Sequence, residues 1–138
     1  MITPDALIAQ AREWLGVRFL HQGRTRMGCD CLGFIGGMLA ELGCTVGLEN
    51  LPLNYARNPQ ALLVDTLNRV THTIELQPAA LVLIQFPNTS HPSHAGIFTG
   101  STLIHCYQGV GRVVEHGYQR PWIKRTAGFW AIPMVMYL

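Results

Sequence analysis

The residues best able to do chemistry in this chain are a cysteine and two histidines. Cys31 lies in Gly28-Cys29-Asp30-Cys31-Leu32-Gly33-Phe34, where a helix should begin. His94 lies in Ser93-His94-Ala95-Gly96-Ile97-Phe98 and His105 in Leu103-Ile104-His105-Cys106-Tyr107. A free thiol has a pKa of about 8.5, so little of it is thiolate at neutral pH. Lowering that by three units requires roughly 4 kcal/mol of preference for the charged form. A helix N-terminus contributes up to about 2 kcal/mol. The remainder must come from a nearby cation, and an imidazolium is the natural one. The chemistry indicated is therefore a cysteine nucleophile (Cys31), a general base (His94) and a residue that orients that base (His105). The Cys31 backbone N–H, at the helix start, is a candidate oxyanion donor.

The elements that must position these groups follow from periodicity. Thr3-Pro4-Asp5 reads as a capped helix start, with Leu7, Ile8, Ala11 and Leu15 at helical spacing and Gly16 as a stop. Residues 18–28 read as a loop. A second helix is expected from Cys31 to Leu42, closing at Gly43. Gly33, Gly36 and Gly37 each weaken a helix by roughly 1 kcal/mol, which implies that another backbone packs closely there. Asn58-Pro59 repeats the cap, and residues 61–70 give a third helix. The period then changes to two, with strands expected at 71–76, 81–86, 93–99, 102–107, 111–115 and 130–136, and a short helical turn at 121–125. Helices first and strands afterwards define an α+β fold with an antiparallel sheet. If Thr99-Gly100 is a two-residue turn, His94 lies opposite His105 with Cβ atoms ~5 Å apart. The other face then carries Ala95, Ile97, Ile104 and Cys106, a core set.

Composition limits the function classes. The 138 residues favour one domain, spanning 1–138. Charged residues make up 13%, against about 25% in an average domain, which suggests a surface partly covered by a partner. A net charge of +2 is too mild for a nucleic-acid binder, and Arg18, Arg24, Arg26, Arg120, Lys124 and Arg125 read as solvated loop charges, with contact to an anionic polymer or a partner protein as the alternative. No apolar run approaches the ~20 residues of a membrane span. The N-terminus does not read as a signal peptide, so synthesis in the cytoplasm is expected. Cys44 and Cys106 read as small core hydrophobes, and Cys29 stays open between a structural and a redox-sensitive thiol. Cys29-x-Cys31 with His94 and His105 offers a Cys2His2 metal set, but zinc sites usually space their cysteines by two to four residues. The expectation is a site with no metal and no cofactor. His72, His91 and His116 read as structural.

Asp30-Cys31-Leu32-Gly33-Phe34, His94-Ala95-Gly96-Ile97 and Ile104-His105 resemble the NlpC-type cell-wall peptidases, a papain-like family with D-C-S-G-L/F, H-V/A-G-I and I-H-A motifs. The segment from Trp14 to Gly23, including His21-Gln22, is similar to the phage-encoded branch, as are Val113-Val114-Glu115-His116 and Trp130-Ala131-Ile132-Pro133. The resemblance runs over nearly the whole chain. It implies a papain-like fold with N-terminal helices packed on an antiparallel sheet. It implies hydrolysis of peptidoglycan stem peptides, typically at the bond between D-glutamate and the diamino acid. It also implies a tail-associated protein, with tail-tip or hub partners, that opens the wall during DNA entry. Asp30, Phe19, His21 and Gln22 become candidates for the substrate and oxyanion site. Five positions depart from the pattern: Pro78-Ala79-Ala80 replaces Pro-Gly-Asp at Ala79 and Ala80, Phe19 replaces a tyrosine, Leu32 a serine (a change also usual in the phage branch) and Cys106 an alanine. The lost Gly-Asp and the Phe19 substitution motivate a second expectation, a structural tail protein with an inactive site. Amide or acyl transfer on the same fold is a third.

Overall fold

The computed structural model describes residues 1–44 and 62–137. The cap expected at Asn58-Pro59 falls outside these residues. Helix α1 (Pro4–Arg12) starts as its sequence requires: the Thr3 hydroxyl accepts the Ala6 N–H at 3.1 Å. It buries Leu7, Ile8 and Ala11 and ends before Gly16, which takes φ +90° in the following turns. The expected loop 18–28 contains a two-residue antiparallel ribbon, β1 (Arg24–Thr25) with β2 (Gly28–Cys29). Helix α2 (Cys31–Glu41) is capped by Asp30 and closes at Gly43, φ +77°.

The glycines of α2 answer to a close backbone approach. A Cβ at Gly33 would lie 1.7 Å from the Gly23 carbonyl oxygen. One at Gly37 would lie 2.5 Å from the Arg24 carbonyl oxygen and 2.5 Å from the Trp14 ring. The helix thus accepts a propensity cost so that the preceding loop can lie directly on it. Trp14 is fully buried against Phe34, and its indole N–H donates to Glu41 at 2.7 Å.

After α3 (Leu62–Val70), the chain builds an antiparallel sheet from β3 (Leu81–Ile84), β4 (His94–Phe98), β5 (Thr102–Cys106), β6 (Val113–Gly117) and β7 (Thr126–Trp130). The spatial order is β6-β5-β4-β3-β7. A one-turn helix, α4 (Trp122–Arg125), precedes β7. Strand β3 is buried on both faces: Leu81 and Leu83 join the core under the helices, and Val82 and Ile84 face a second apolar layer with Phe98, Leu103 and Trp122. That accounts for its unbroken apolar run. Ala95, Ile97, Ile104 and Cys106 lie in the helical core, as the alternation predicts. The molecule is α+β.

Three expectations require correction. Residues 71–76 form no strand. The segment only skirts the outer edge of β7, with a single bridge from Thr73 to Trp130 and bonds from Ile74 N–H to Phe129 and from Ala131 N–H to His72. The last strand ends, rather than begins, at Trp130: Pro133 has no N–H to give a ladder, and Met134 turns the chain at φ 69°. The third concerns the β4–β5 hairpin. Ile97 pairs with Ile104 and Phe98 with Leu103, so the turn is Gly100-Ser101 and the register is two residues away from the expected one. Thr99 N–H bonds the Thr102 carbonyl at 3.0 Å, and Gly100 takes φ +119°, which favours glycine. A shift of two preserves facing, so His94 and His105 still share a side.

At Pro78-Ala79-Ala80 the turn is kept without its glycine. Ala79 adopts φ 72°, fully buried, with its N–H donating to Phe98 at 2.7 Å and its carbonyl accepting the Tyr137 hydroxyl at 2.9 Å. These bonds hold a conformation that an L-residue otherwise avoids.

Candidate active site

Cys31 is the first residue of α2 and is 5% exposed. Asp30, just before it, fixes both the helix and the loop in front. One carboxylate oxygen accepts the Gly33 N–H at 2.8 Å, and the other accepts the Gln22 N–H at 3.0 Å. Gln22 itself sits at φ 64°. Asp30 is thus a cap and a stitch, and it sets the height at which the thiol emerges. The thiol contacts the Ser93 carbonyl at 3.9 Å, which brings the helix start against the residue preceding His94.

The imidazoles stand on the sheet. His94 begins β4 and His105 lies near the end of β5, both with side chains on the face away from the Ala95 and Ile104 core set. His94 Nε2 and His105 Nδ1 are 2.8 Å apart. That bond occupies one nitrogen of His94 and leaves Nδ1 for a second partner. Gly96 makes the meeting of the rings possible: a Cβ there would lie 3.0 Å from the His105 Cβ and 2.8 Å from Leu103. Burial pushes the His94 imidazolium down to about 3 and His105 to about 2, the latter also through the neighbouring charges of His94 and His116. Both rings are held neutral at neutral pH, so neither is the resting imidazolium expected from the sequence, and their part is that of a neutral base and its orienter. Because their nitrogens bond one another, a Cys2His2 metal set would have to break this pair.

A cavity of 270 Å³ joins the two halves. From the helix side it is lined by Phe19, His21, Asp30 and Cys31. From the sheet side come Ser93, His94 and Cys106, with Phe86, Tyr107 and Gln108 as rim and wall. Of the residues singled out in the sequence, only Gln22 and His105 do not line it: Gln22 acts on Asp30 through its backbone, and His105 stands behind His94. A larger cavity of 680 Å³ lies between the N-terminal residues and residues 135–137. It has neither thiol nor imidazole.

Sequence reasoning missed the aromatic wall. Phe86, Tyr107 and Trp122 enclose the two rings, with centroids 5.1 Å (Phe86 to His94), 5.1 Å (Tyr107 to His105) and 4.7 Å (Trp122 to His105). It also missed His116, whose Nε2 lies 2.7 Å from His105 Nε2. Facing alternation on β6 would have signalled it, since Leu103 pairs with His116 and His105 with Val114. Cys29 is fully buried in β2, and its carbonyl accepts the Cys106 thiol at 3.4 Å. Its own thiol is pushed up by its bond with Cys106 and by burial, an inert setting. Among the described residues, no disulfide joins any of the four cysteines.

The fold is that of the NlpC/P60 structures. The chain superposes on an NlpC/P60 family protein from Bacillus cereus with a TM-score of 0.67, at 21% identity, covering 91% of this chain and 39% of that one. The NlpC/p60 domain of the peptidoglycan hydrolase SagA gives 0.62 at 19% identity, covering 94% and 97%. NlpC2 from Trichomonas vaginalis gives 0.68 at 14%, covering 93% and 47%. In sequence, the chain is 28% identical over 120 residues to the murein DD-endopeptidase MepS/murein LD-carboxypeptidase of Escherichia coli K12. That alignment covers 86% of this chain and 57% of the relative, so the chain spans little more than half of that protein. No protein-family model matches the chain. Among the described residues, no helix is long and apolar enough to cross a membrane.

Proposed function

We propose that this chain is a cysteine peptidase domain that hydrolyses the stem peptides of peptidoglycan. The observation that carries the reading is the shared cavity of Cys31, first residue of a helix, and His94, whose far nitrogen is held by His105. The similarity to a murein endopeptidase supports the substrate class. In this mechanism His94 Nδ1 takes the thiol proton as Cys31 Sγ attacks the scissile carbonyl carbon. The oxyanion is met by the Cys31 N–H, placed where a helix directs its amides outward. Collapse of the tetrahedral species breaks the C–N bond, and His94 returns the proton to the departing amine. Water then attacks the thioester, with His94 again as base, and releases the acid and the thiol. Neither metal nor cofactor enters these steps.

The bond proposed is the one between D-glutamate and the diamino acid, the expectation carried by sequence resemblance. The relative's DD-endopeptidase and LD-carboxypeptidase activities offer two other bonds, and product masses separate the three. The setting proposed is a phage or prophage tail, with tail-tip or hub partners, acting at the wall during DNA entry. The similarity of residues 14–23 and 113–116 to the phage branch supports it, as does the low content of charged residues. Replacing Cys31 with Ala is expected to abolish release of stem-peptide fragments from purified sacculi. Full retained activity in that variant refutes the assignment and favours a structural protein with a relic site.

A further inference from the structure

His116 continues the line of rings beyond His105, and its far end breaks a symmetry. A file of neutral imidazoles can be hydrogen-bonded in two ways, with every hydrogen pointing along the file or every hydrogen reversed. In one arrangement His94 Nδ1 is bare and can accept the thiol proton. In the other it carries a hydrogen and cannot. The bond between His94 and His105 permits both.

The choice is made at the Gly117 carbonyl, 3.0 Å from His116 Nδ1. A carbonyl oxygen only accepts, so His116 Nδ1 carries a hydrogen, and in the neutral ring its Nε2 is then an acceptor. That Nε2 receives the hydrogen of His105 Nε2 at 2.7 Å. His105 Nδ1 is then an acceptor and receives the hydrogen of His94 Nε2 at 2.8 Å. His94 Nδ1 is left bare, the form a base requires. We propose that His116 is a positioning residue that selects the tautomer of His94, acting through His105 and anchored on the Gly117 carbonyl. The reversed file would leave a hydrogenless nitrogen facing a carbonyl oxygen. Burial of His94 and His105 supports the neutral file. Trp122 packs against both His105 and His116, at centroid distances of 4.7 and 5.3 Å, and holds the rings in line.

The proposal rests on the reading of Cys31 and His94 as nucleophile and base, and two measurements keep the two apart. Nitrogen-15 spectra of the full-length protein report the ring tautomers directly, without substrate. His94 and His105 are expected as Nε2–H in the wild type. In His116→Leu the buried His105 Nε2–H loses its acceptor, and both rings are expected to move towards Nδ1–H. His116→Gln, which offers a side-chain oxygen at the same reach, is expected to keep Nε2–H. Alkylation of Cys31 by iodoacetamide near neutral pH is the second readout. It is expected to slow about tenfold in His116→Leu, the worth of one hydrogen bond, and to return towards the wild-type rate in His116→Gln. A wild-type His94 found as Nδ1–H overturns the proposal, as does an unchanged tautomer in His116→Leu. A wild-type Cys31 no more reactive than an ordinary thiol overturns the peptidase reading instead, while the spectra still decide the role of His116.

Discussion

Lowering the pH from 7 to 5 should destabilise this protein by an amount that the buried imidazole pair sets. An ordinary histidine titrates at about 6.5. Burial holds His94 down to about 3 and His105 to about 2. Between those values and 6.5 the unfolded chain takes up protons that the folded chain refuses. Stability from this source is therefore fully present above 6.5 and is lost as the pH falls towards 3. Each ring costs about 1.4 kcal/mol per pH unit well below 6.5. From pH 7 to 5 the loss is roughly 2 kcal/mol per ring, and about 4 kcal/mol for the pair, a large fraction of the 5–15 kcal/mol of a typical domain. With a urea slope of about 2 kcal/mol per molar, the midpoint should fall by roughly 2 M. Urea titrations at both pH values, on the wild type and on His94→Gln/His105→Gln, provide the measurement. The double variant removes the two buried titrating groups, so its midpoint should move far less. Equal shifts in the two proteins, or a wild-type midpoint that does not fall, would refute the argument.

Two further substitutions probe how the site is held. Gly96→Ala places a methyl group 3.0 Å from the His105 Cβ; it should cost about 1–3 kcal/mol and lower Cys31 alkylation out of proportion to that loss, read by thermal unfolding and labelling together. Asp30→Ala leaves the Gly33 and Gln22 amides without their carboxylate. It should cost about 2–4 kcal/mol from the lost cap and an orphaned amide, while Asp30→Asn, which keeps one acceptor oxygen, should recover part of the urea midpoint.

What the sequence made legible, and what it hid, divide along a physical line. Facing was legible because it depends on parity alone: the turn between β4 and β5 is two residues from its expected place, yet His94 and His105 still face the same side. Register was not, because Gly100 can take either central position of a two-residue turn; the structure puts it first, as Gly100-Ser101, with Thr99 N–H bonded to the Thr102 carbonyl. The close approach to α2 was legible from its glycines, since nothing else explains them in a helix. The last strand misled because Trp130 to Met136 is apolar throughout, and one proline and one left-handed residue outweigh that pattern. His116 reads as structural because a lone histidine more often is, and the strand expected at 111–115 stops one residue short of it, whereas β6 runs Val113–Gly117. Cys29 and Cys31 are two positions apart in one motif, but only Cys31 stands at the helix start.

The span between the two halves of the site affects how this protein is made. The thiol of Cys31 meets the carbonyl of Ser93, 62 residues further along the chain. Ribosomes deliver the N-terminus first, at rates that leave several seconds between these segments. Throughout that interval the proposed nucleophile, Cys31, exists without its proposed base, as an ordinary thiol that is mostly protonated at neutral pH. The proposed pair forms only when β4 docks against the start of α2, where the Cys31 thiol meets the Ser93 carbonyl. On the proposed reading, a partly folded copy is therefore a poor nucleophile, because its thiol lacks the groups that activate it.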